Sequence, residues 1–144
     1  MEKINKIYIS GELTHAGEEI KKIYEKIAKL CSRHFNNIYV PHAGGTDPIQ
    51  NPDISPMDVW QRDHRFVASA DLIIAYVGQP SLGVGAELEI ARIAASDIIL
   101  WWFKGEKVSR MALGNPAVKY KIEAENEDDL YNKLENILKN YEKE

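Results

Sequence analysis

Short apolar runs alternate with longer amphipathic segments along the chain. The apolar runs predict five β-strands, at residues 4–10, 37–40, 72–77, 98–103 and 118–122. The amphipathic segments place apolar residues at helical spacing and predict helices at about 17–33, 58–69, 87–93, 108–113 and 126–141. Strands that alternate with helices are typical of a parallel sheet covered on both faces. We therefore expect one α/β domain over residues 1–144: a doubly wound, five-stranded parallel sheet in a flavodoxin-like (Rossmann-like) three-layer sandwich.

In such a fold, ligands bind in loops at the carboxyl ends of the strands. Three of these loops, at 11–17, 79–87 and 105–109, follow the first, third and fourth predicted strands and are rich in glycine and polar residues. The segment 42–57 is interrupted by prolines and predicts a long irregular loop. We expect the functional site where the three glycine-rich loops meet.

Composition and charge narrow the classes of partner. The net charge is −4, whereas proteins that grip nucleic-acid backbones carry an excess of Lys and Arg. No run approaches the roughly 18 apolar residues of a membrane span, and no apolar run of a signal peptide follows the first residues. The single cysteine, Cys31, suits a reducing compartment. We expect a cytoplasmic protein that acts on a small molecule, without a nucleic-acid or membrane partner.

The loop 79–87 gives the strongest chemical signal. It follows a buried strand, opens a helix and contains Gly83 and Gly85, so its backbone N–H groups can approach an anion or sugar hydroxyls. Glu87 ends the loop, and a carboxylate near a helix N-terminus is kept ionised by the helix dipole, as suits a nucleophile or a stabiliser of positive charge. The simpler interpretation is structural: the glycines shape a turn and Glu87 caps the helix.

Asp63, between Arg62 and His64 on the second predicted helix, is a candidate for a second carboxylate. Glycosyl transfer uses such a pair. One carboxylate attacks or stabilises the anomeric carbon, and the other protonates or positions the leaving group, which in a nucleoside is the base. The alternative is that Asp63 is a solvated charge on a polar helix face. Residue type alone leaves both interpretations open.

Metal and cofactor signals are weak. His42 has Asp47 nearby, but no Cys or His cluster accompanies it at ligand spacing, so we expect a role in base recognition or loop structure. The glycines form no Gly-x-Gly-x-x-Gly fingerprint after the first strand, which disfavours a dinucleotide-binding enzyme. We therefore expect neither a metal nor a cofactor.

The segment 79–88, Gln-Pro-Ser-Leu-Gly-Val-Gly-Ala-Glu-Leu, resembles the signature of the 2′-deoxynucleoside 5′-monophosphate N-hydrolases in the nucleoside 2-deoxyribosyltransferase superfamily. The resemblance covers most of the chain, is strongest over 63–114 and extends loosely to Tyr8-Ile9-Ser10-Gly11. It implies that Glu87 is the catalytic glutamate, Asp63 the acid near the base and Tyr8 a third catalytic residue, beside the sugar and the nucleophile. It also implies further substrate-binding positions, with phosphate-binding hydroxyls at the two serines: Gly11, Ser81, Gly83, Gly85 and Ser109.

The loop after the first strand departs from that family pattern. The hydrolases place a serine and then an arginine there, whereas this chain has Glu12-Leu13-Thr14-His15. A glutamate at this place repels phosphate. The substrate is then a 5′-monophosphate for which His15 or Thr14 compensates, a differently oriented nucleotide, or an unphosphorylated nucleoside.

The residues and the resemblance together predict an N-glycosidase that releases the free base from a nucleoside or a nucleoside 5′-monophosphate. Two alternatives stay open: a nucleoside 2-deoxyribosyltransferase that passes the sugar to a second base, and a nucleotide-binding module without turnover. We also expect a homodimer with shared active sites, in which Ser109 acts across the interface. The apolar patch that would bring two subunits together consists of Trp101, Trp102, Phe103, Met111 and Leu113.

Overall fold

Five parallel strands form the centre of the computed structural model, which describes residues 3–43 and 51–142. The strands lie in the order β2-β1-β3-β4-β5. Because the chain winds outward in both directions from the junction of β1 and β3, the doubly wound topology is confirmed, with its switch point at that junction. The bounds are β1 (Lys6–Ser10), β2 (Asn37–Tyr39), β3 (Leu72–Tyr76), β4 (Asp97–Phe103) and β5 (Val118–Ala124).

The helices cover the two faces of the sheet and complete the three layers. One apolar cluster joins α1 and α5 to one face, and a second joins α2 and α3 to the other. A short 3₁₀ turn, Pro41–Ala43, follows β2. The helix bounds are α1 (Glu18–Cys31), α2 (Pro56–Ser69), α3 (Leu82–Ile93), α4 (Arg110–Leu113) and α5 (Glu127–Glu142).

Strand β1 contributes to both faces of the sheet. Successive side chains of a strand point to opposite faces. Ile7 and Ile9 accordingly join the cluster beneath α1 and α5, whereas Tyr8 joins the cluster on the α2 and α3 side. Ser10 follows Tyr8 by two residues and shares its face. This alternation presents two hydroxyl groups to α3.

Helix α3 begins earlier than the glycine pattern predicts. Ser81 is its N-cap and accepts a hydrogen bond from the backbone N–H of Val84 at 3.2 Å. Gly83 and Gly85 therefore lie in the first turn of the helix, and the expectation that they belong to a loop is wrong. A serine N-cap stabilises a helix start by about 1 kcal/mol, enough to offset the weak helix propensity of one glycine.

The expected apolar patch around the aromatic run is also wrong in part. Trp101 is fully buried, with its ring 4.4 Å from that of Tyr76 and 6.4 Å from that of Tyr24. Met111 of the expected patch is exposed, as are Leu82 and Ile93 on α3, which were not part of it. Within 3–43 and 51–142, no helix has both the length and the apolar character needed to cross a membrane.

Candidate active site

Glu87 lies at the centre of a buried hydrogen-bond network. Its side chain projects from the second turn of α3 toward β1 and is 9% exposed. The Tyr8 hydroxyl donates to Glu87 Oε2, and the Ser10 hydroxyl donates to Glu87 Oε1 at 3.0 Å. Both carboxyl oxygens are thus held by side chains of one neighbouring strand, which fixes the orientation of the carboxyl group.

Burial raises the pKa of Glu87 to about 7. The hydrogen bond from Tyr8 acts in the opposite direction, the charge of Asp63 raises the pKa further, and the bond from Ser10 lowers it. The helix dipole therefore does not keep this carboxyl fully ionised, and the expectation based on its closeness to a helix start is wrong. The physical reason is desolvation: Glu87 lies five residues inside the helix, beyond the first turn where the dipole is strongest.

Tyr8 is buried beneath the same network. Desolvation, followed by the charges of Glu87 and Asp63, holds the pKa of its hydroxyl well above the ordinary range. The hydroxyl therefore stays protonated at neutral pH and remains a hydrogen-bond donor to Glu87. Its ring stacks on that of Tyr39, with 5.5 Å between centroids, which fixes the side chain from below.

Asp63 lies on α2, half-buried, at the wall of the cleft into which Glu87 opens. It is near enough for its charge to raise the pKa values of both Glu87 and Tyr8. The structure therefore brings together the two carboxylates that the sequence singled out. Glycosyl transfer uses a pair of carboxyl groups in one cleft, and Glu87 and Asp63 form such a pair.

The cleft has a volume of about 730 Å³, within the usual range for small-molecule sites. Its lining combines three carboxyl-bearing residues, Glu12, Asp63 and Glu87, with a larger apolar and aromatic surface that includes Trp60 at 58% exposure. Such a combination suits a ligand with a polar sugar and a flat aromatic base. The apolar and aromatic lining consists of Leu13, Pro41, Pro52, Ile54, Pro56, Val59, Trp60, Pro80, Leu82 and Val84.

Gly11 and Glu12 form the floor of the cleft beyond β1. A Cβ atom at Gly11 would lie 2.2 Å from the Tyr24 ring, so only glycine fits without displacing that ring. The Glu12 carboxylate accepts the backbone N–H of His15, at 2.8 Å to one oxygen and 3.0 Å to the other. These contacts shape a tight loop whose side chains face the cleft.

Ser81, Gly83 and Gly85 lie at the N-terminus of α3, but they do not all face one space. Ser81 and Gly83 line the cleft of Glu87, whereas Gly85 lines a neighbouring cleft of about 640 Å³ between α3 and α4. Ser81 lies between the two clefts and borders both. A Cβ atom at Gly83 would meet Ser81 Oγ at 3.8 Å and no nearer described side chain, so the space beside this backbone is open to a ligand.

Ser109 lies in the neighbouring cleft, not in that of Glu87. It caps α4 by accepting the backbone N–H of Met111 at 3.2 Å. Within one chain, the loop after β4 therefore does not contribute to the Glu87 cleft, although that loop was expected to join those after β1 and β3. Ser109 can reach a Glu87 cleft only if a second subunit supplies it.

His42 is turned away from the cleft. It is 5% exposed, and its Nε2 lies 3.0 Å from Oε1 of Glu25 on α1. Asp47, its proposed companion, lies outside the described residues. Among the described residues, no group of three or more His, Cys, Asp or Glu side chains is arranged to hold a metal ion. The contacts of His42 match the expected role in loop structure.

Two residues of the site were missed by sequence reasoning. Ser10 holds the second oxygen of Glu87, and the alternation of β1 was sufficient to place it beside Tyr8. Trp60 lines the cleft, and its position one helical turn before Asp63 was the available signal. Both follow from periodicity once Tyr8 and Asp63 are taken as functional.

No family model matches the chain, but individual relatives do. A protein of Trichoplax adhaerens, assigned by name to the 2′-deoxynucleoside 5′-phosphate N-hydrolases, is 30% identical over 136 residues, which cover 92% of each chain. The 5-hydroxymethyl-dUMP N-hydrolase of Danio rerio is 31% identical over 141 residues, which cover 94% of each chain.

Solved structures share the fold at lower sequence identity. The CMP N-glycosidase of Clostridium botulinum has a TM-score of 0.69 at 21% identity and covers 92% of this chain and 99% of its own. A 2-deoxyribosyltransferase of Bacillus psychrosaccharolyticus has a TM-score of 0.68 at 18% identity and covers 91% of this chain and 90% of its own. Because the relatives from Trichoplax adhaerens and Danio rerio match it over nearly the full length, the chain belongs to the 2′-deoxynucleoside 5′-phosphate N-hydrolase family.

Proposed function

We propose that the protein hydrolyses the N-glycosidic bond of a nucleoside or a nucleoside 5′-monophosphate and releases the free base. The observation that carries this proposal is the buried Glu87, held by two hydroxyl groups and sharing its cleft with Asp63. The names of the two relatives describe the same class of reaction on deoxynucleotides.

Glu87 acts at the anomeric carbon. As the base departs, positive charge develops on the sugar, and a carboxylate in a desolvated cleft either attacks this carbon or stabilises the charge. Tyr8 and Ser10 position the carboxyl group through their hydrogen bonds, and both bonds favour its ionised form. Glu87 is therefore the catalytic residue, and the two hydroxyls position it.

Asp63 acts on the leaving base. It lies on α2 across the cleft from α3, on the side where the apolar lining and Trp60 offer surfaces for a flat ring. Proton donation to a departing base, or a hydrogen bond that orients it, contributes about 10²- to 10⁴-fold to the rate of such reactions. Placing the acid beside the base and Glu87 beside the sugar separates the two roles.

The sugar and its 5′ end lie between the β1 loop and the N-terminus of α3. Gly11, Ser81 and Gly83 border this part of the cleft, and α-helix geometry leaves the N–H groups of the first turn without intrahelical acceptors. These donors suit the oxygens of a sugar or a phosphate. Gly85, which borders the neighbouring cleft, contributes through the conformation of that first turn.

A homodimer with shared sites extends this proposal. Leu82 and Ile93 are 97% and 72% exposed and lie three turns apart on one face of α3, and Met111 on α4 is 87% exposed. An isologous two-fold contact would cover these side chains and bring Ser109 of each subunit toward the other's cleft.

The site of action that fits the buried, unpaired thiol of Cys31 is the cytoplasm.

A substrate panel tests the proposed reaction. The protein is incubated with nucleosides and 5′-monophosphates, in ribo and deoxy forms, and free base is followed by chromatography. Base release from at least one class supports the hydrolase. If a second base is added and new nucleoside forms faster than sugar is released, the protein is a transferase. Tight binding without release would identify a nucleotide-binding module.

A further inference from the structure

Carboxylates dominate the charged groups of the cleft. Glu12, Asp63 and Glu87 all line it, and its described lining contains no Lys or Arg. The sequence of residues 44–50, which the structure does not describe, also contains neither. Among the described lining residues, His15 is the one whose side chain can carry a positive charge. This is an unfavourable setting for a phosphate dianion.

Glu12 is fixed in place by its contacts. It is 5% exposed, and both of its carboxylate oxygens accept the backbone N–H of His15. Its own carbonyl oxygen accepts the Tyr24 hydroxyl at 3.0 Å. Because its side chain and its backbone are both anchored, the carboxylate cannot swing into solvent to make room for another anion.

The position of Glu12 determines what it meets. It follows Ser10 by two residues, and Ser10 holds Glu87, so Glu12 lies beyond the sugar-facing carboxyl group at the end of β1. A ribose or deoxyribose whose anomeric carbon faces Glu87 extends its 5′ carbon away from the base. The β1 loop with Glu12 and the N-terminus of α3 enclose this part of the cleft.

We propose that the substrate is an unphosphorylated nucleoside and that Glu12 excludes a 5′-phosphate. This inference rests on the proposed function. A phosphate monoester carries a charge of about −1.5 to −2 at neutral pH and would be desolvated beside a fixed, buried carboxylate. An uncharged 5′-hydroxyl can instead donate to Glu12, since a carboxylate has lone pairs beyond those used by one N–H donor.

The N-terminus of α3 favours a phosphate at the 5′ end and so opposes the effect of Glu12. Its first-turn N–H groups favour an anion, and Ser81 lies beside them, although the Ser81 oxygen already accepts the N–H of Val84. The specificity is decided by whether Glu12 or this helix start dominates at the 5′ end. A series of substrates that differ only in charge at that position compares the two directly.

The first test uses the wild-type protein. Base release is measured for one nucleoside, for its 5′-(methyl phosphate) ester with one negative charge, and for its 5′-monophosphate. The proposal predicts that kcat/KM falls in that order, with at least about a tenfold difference between the first and the last. Equal values, or a preference for the monophosphate, would overturn it.

The second test uses Glu12→Gln, which keeps the shape of the side chain and an acceptor for the N–H of His15. The ratio of kcat/KM for nucleoside over monophosphate should fall at least about tenfold. Glu19→Gln, an exposed residue of α1 outside the cleft, makes the same charge change and should leave the ratio as in the wild type. A ratio that stays unchanged in folded Glu12→Gln would contradict the role of Glu12.

A failure of the proposed function has a different outcome. If none of the three compounds releases base, the hydrolase proposal is wrong, and calorimetric binding of the same compounds still ranks their 5′ ends. Tighter binding of the nucleoside would support the exclusion of phosphate by Glu12. Tighter binding of the monophosphate would refute it, whether or not the protein has a catalytic activity.

Discussion

Two clefts meet at Ser81, and they differ in the carboxyl groups that line them. The cleft of Glu87 contains a buried carboxyl group whose two oxygens are held by Tyr8 and Ser10. The cleft between α3 and α4 is lined by an exposed carboxylate, Glu89, and by the highly exposed Met111. The buried carboxyl group of the first cleft fits the proposed reaction, and the exposed apolar side chain of the second fits the proposed subunit contact.

The difference shows what raises the pKa of one glutamate above that of its neighbour. Glu89, two residues after Glu87 on the same helix, borders the second cleft and is exposed to solvent. It pairs with Arg92, and this contact lowers its pKa. Glu87 points to the other side, is desolvated against the sheet, and has its pKa raised to about 7. The two side chains leave α3 on different sides because they are two residues apart, and this difference alone gives them different environments.

Removing one carboxylate from each cleft should lower base release in one case and not in the other. Glu87→Gln should lower base release at least about 10³-fold, because the carboxylate acts mainly in the transition state. Glu89→Gln should keep most of the activity. Free base is quantified by chromatography, and circular dichroism confirms that both variants fold. Near-normal turnover in folded Glu87→Gln would remove Glu87 from the mechanism.

Asp63 should have the next largest effect. Asp63→Asn is expected to lower kcat about 100-fold while KM changes only a few-fold, since a group that assists the leaving base acts in the transition state. Steady-state kinetics separates the two constants. Asp58→Asn, on the exposed first turn of the same helix, is the matched control. A change confined to KM would make Asp63 a binding residue.

The second cleft should respond to a change in surface chemistry. Met111→Glu places a charge on the proposed interface, so we expect dissociation to monomers and an activity several-fold lower that recovers at high protein concentration. Met57→Glu alters another exposed methionine, on α2, and should do neither. Sedimentation velocity gives the oligomeric state. A fully active wild-type monomer at assay concentration would contradict the shared site.

The smallest effect that we expect is on the unfolding free energy, which should depend on pH because Glu87 is buried. The pKa of this carboxyl is raised from 4.5 to about 7, so the folded state holds its proton more tightly, and stability is lost as pH rises from 4.5 toward 7. Relative to Glu87→Gln, the wild type should lose about 2 kcal/mol of unfolding free energy between pH 5 and pH 8. Urea unfolding of both proteins at the two pH values measures this difference, and parallel behaviour would indicate that Glu87 is not desolvated.

The sequence pattern was sufficient for the fold, and it singled out two acids, Glu87 and Asp63, that the structure places in one cleft. The apolar runs predicted the five strands, and the amphipathic segments between them predicted the helices. The segment around Glu87 indicated the family. It did not reveal the raised pKa of Glu87, because desolvation depends on which face of α3 packs against β1. For the same reason, the burial of Trp101 and the placement of Ser109 in a separate cleft required the assembled layers.

The sequence pattern also failed to predict where α3 begins. Gly83 and Gly85 have weak helix propensity and were assigned to a loop, yet Ser81 caps the helix ahead of them. Capping and the packing of Val84 and Leu88 against the sheet outweigh two glycines. Tertiary contacts therefore override local propensity in the helix that positions the Glu87 carboxyl group.

The pH dependence of kcat/KM for base release tests the role of Glu87 most directly, because it reads the carboxyl group in the intact protein. Activity that needs the ionised form should rise with pH and level off above about 7. In Tyr8→Phe and Ser10→Ala, each of which removes a hydrogen bond that lowers the pKa of Glu87, the bend should move to higher pH. A profile that is flat or falling through this range, or a bend at the same pH in all three proteins, would contradict the assignment of Glu87 as the sugar-facing carboxylate.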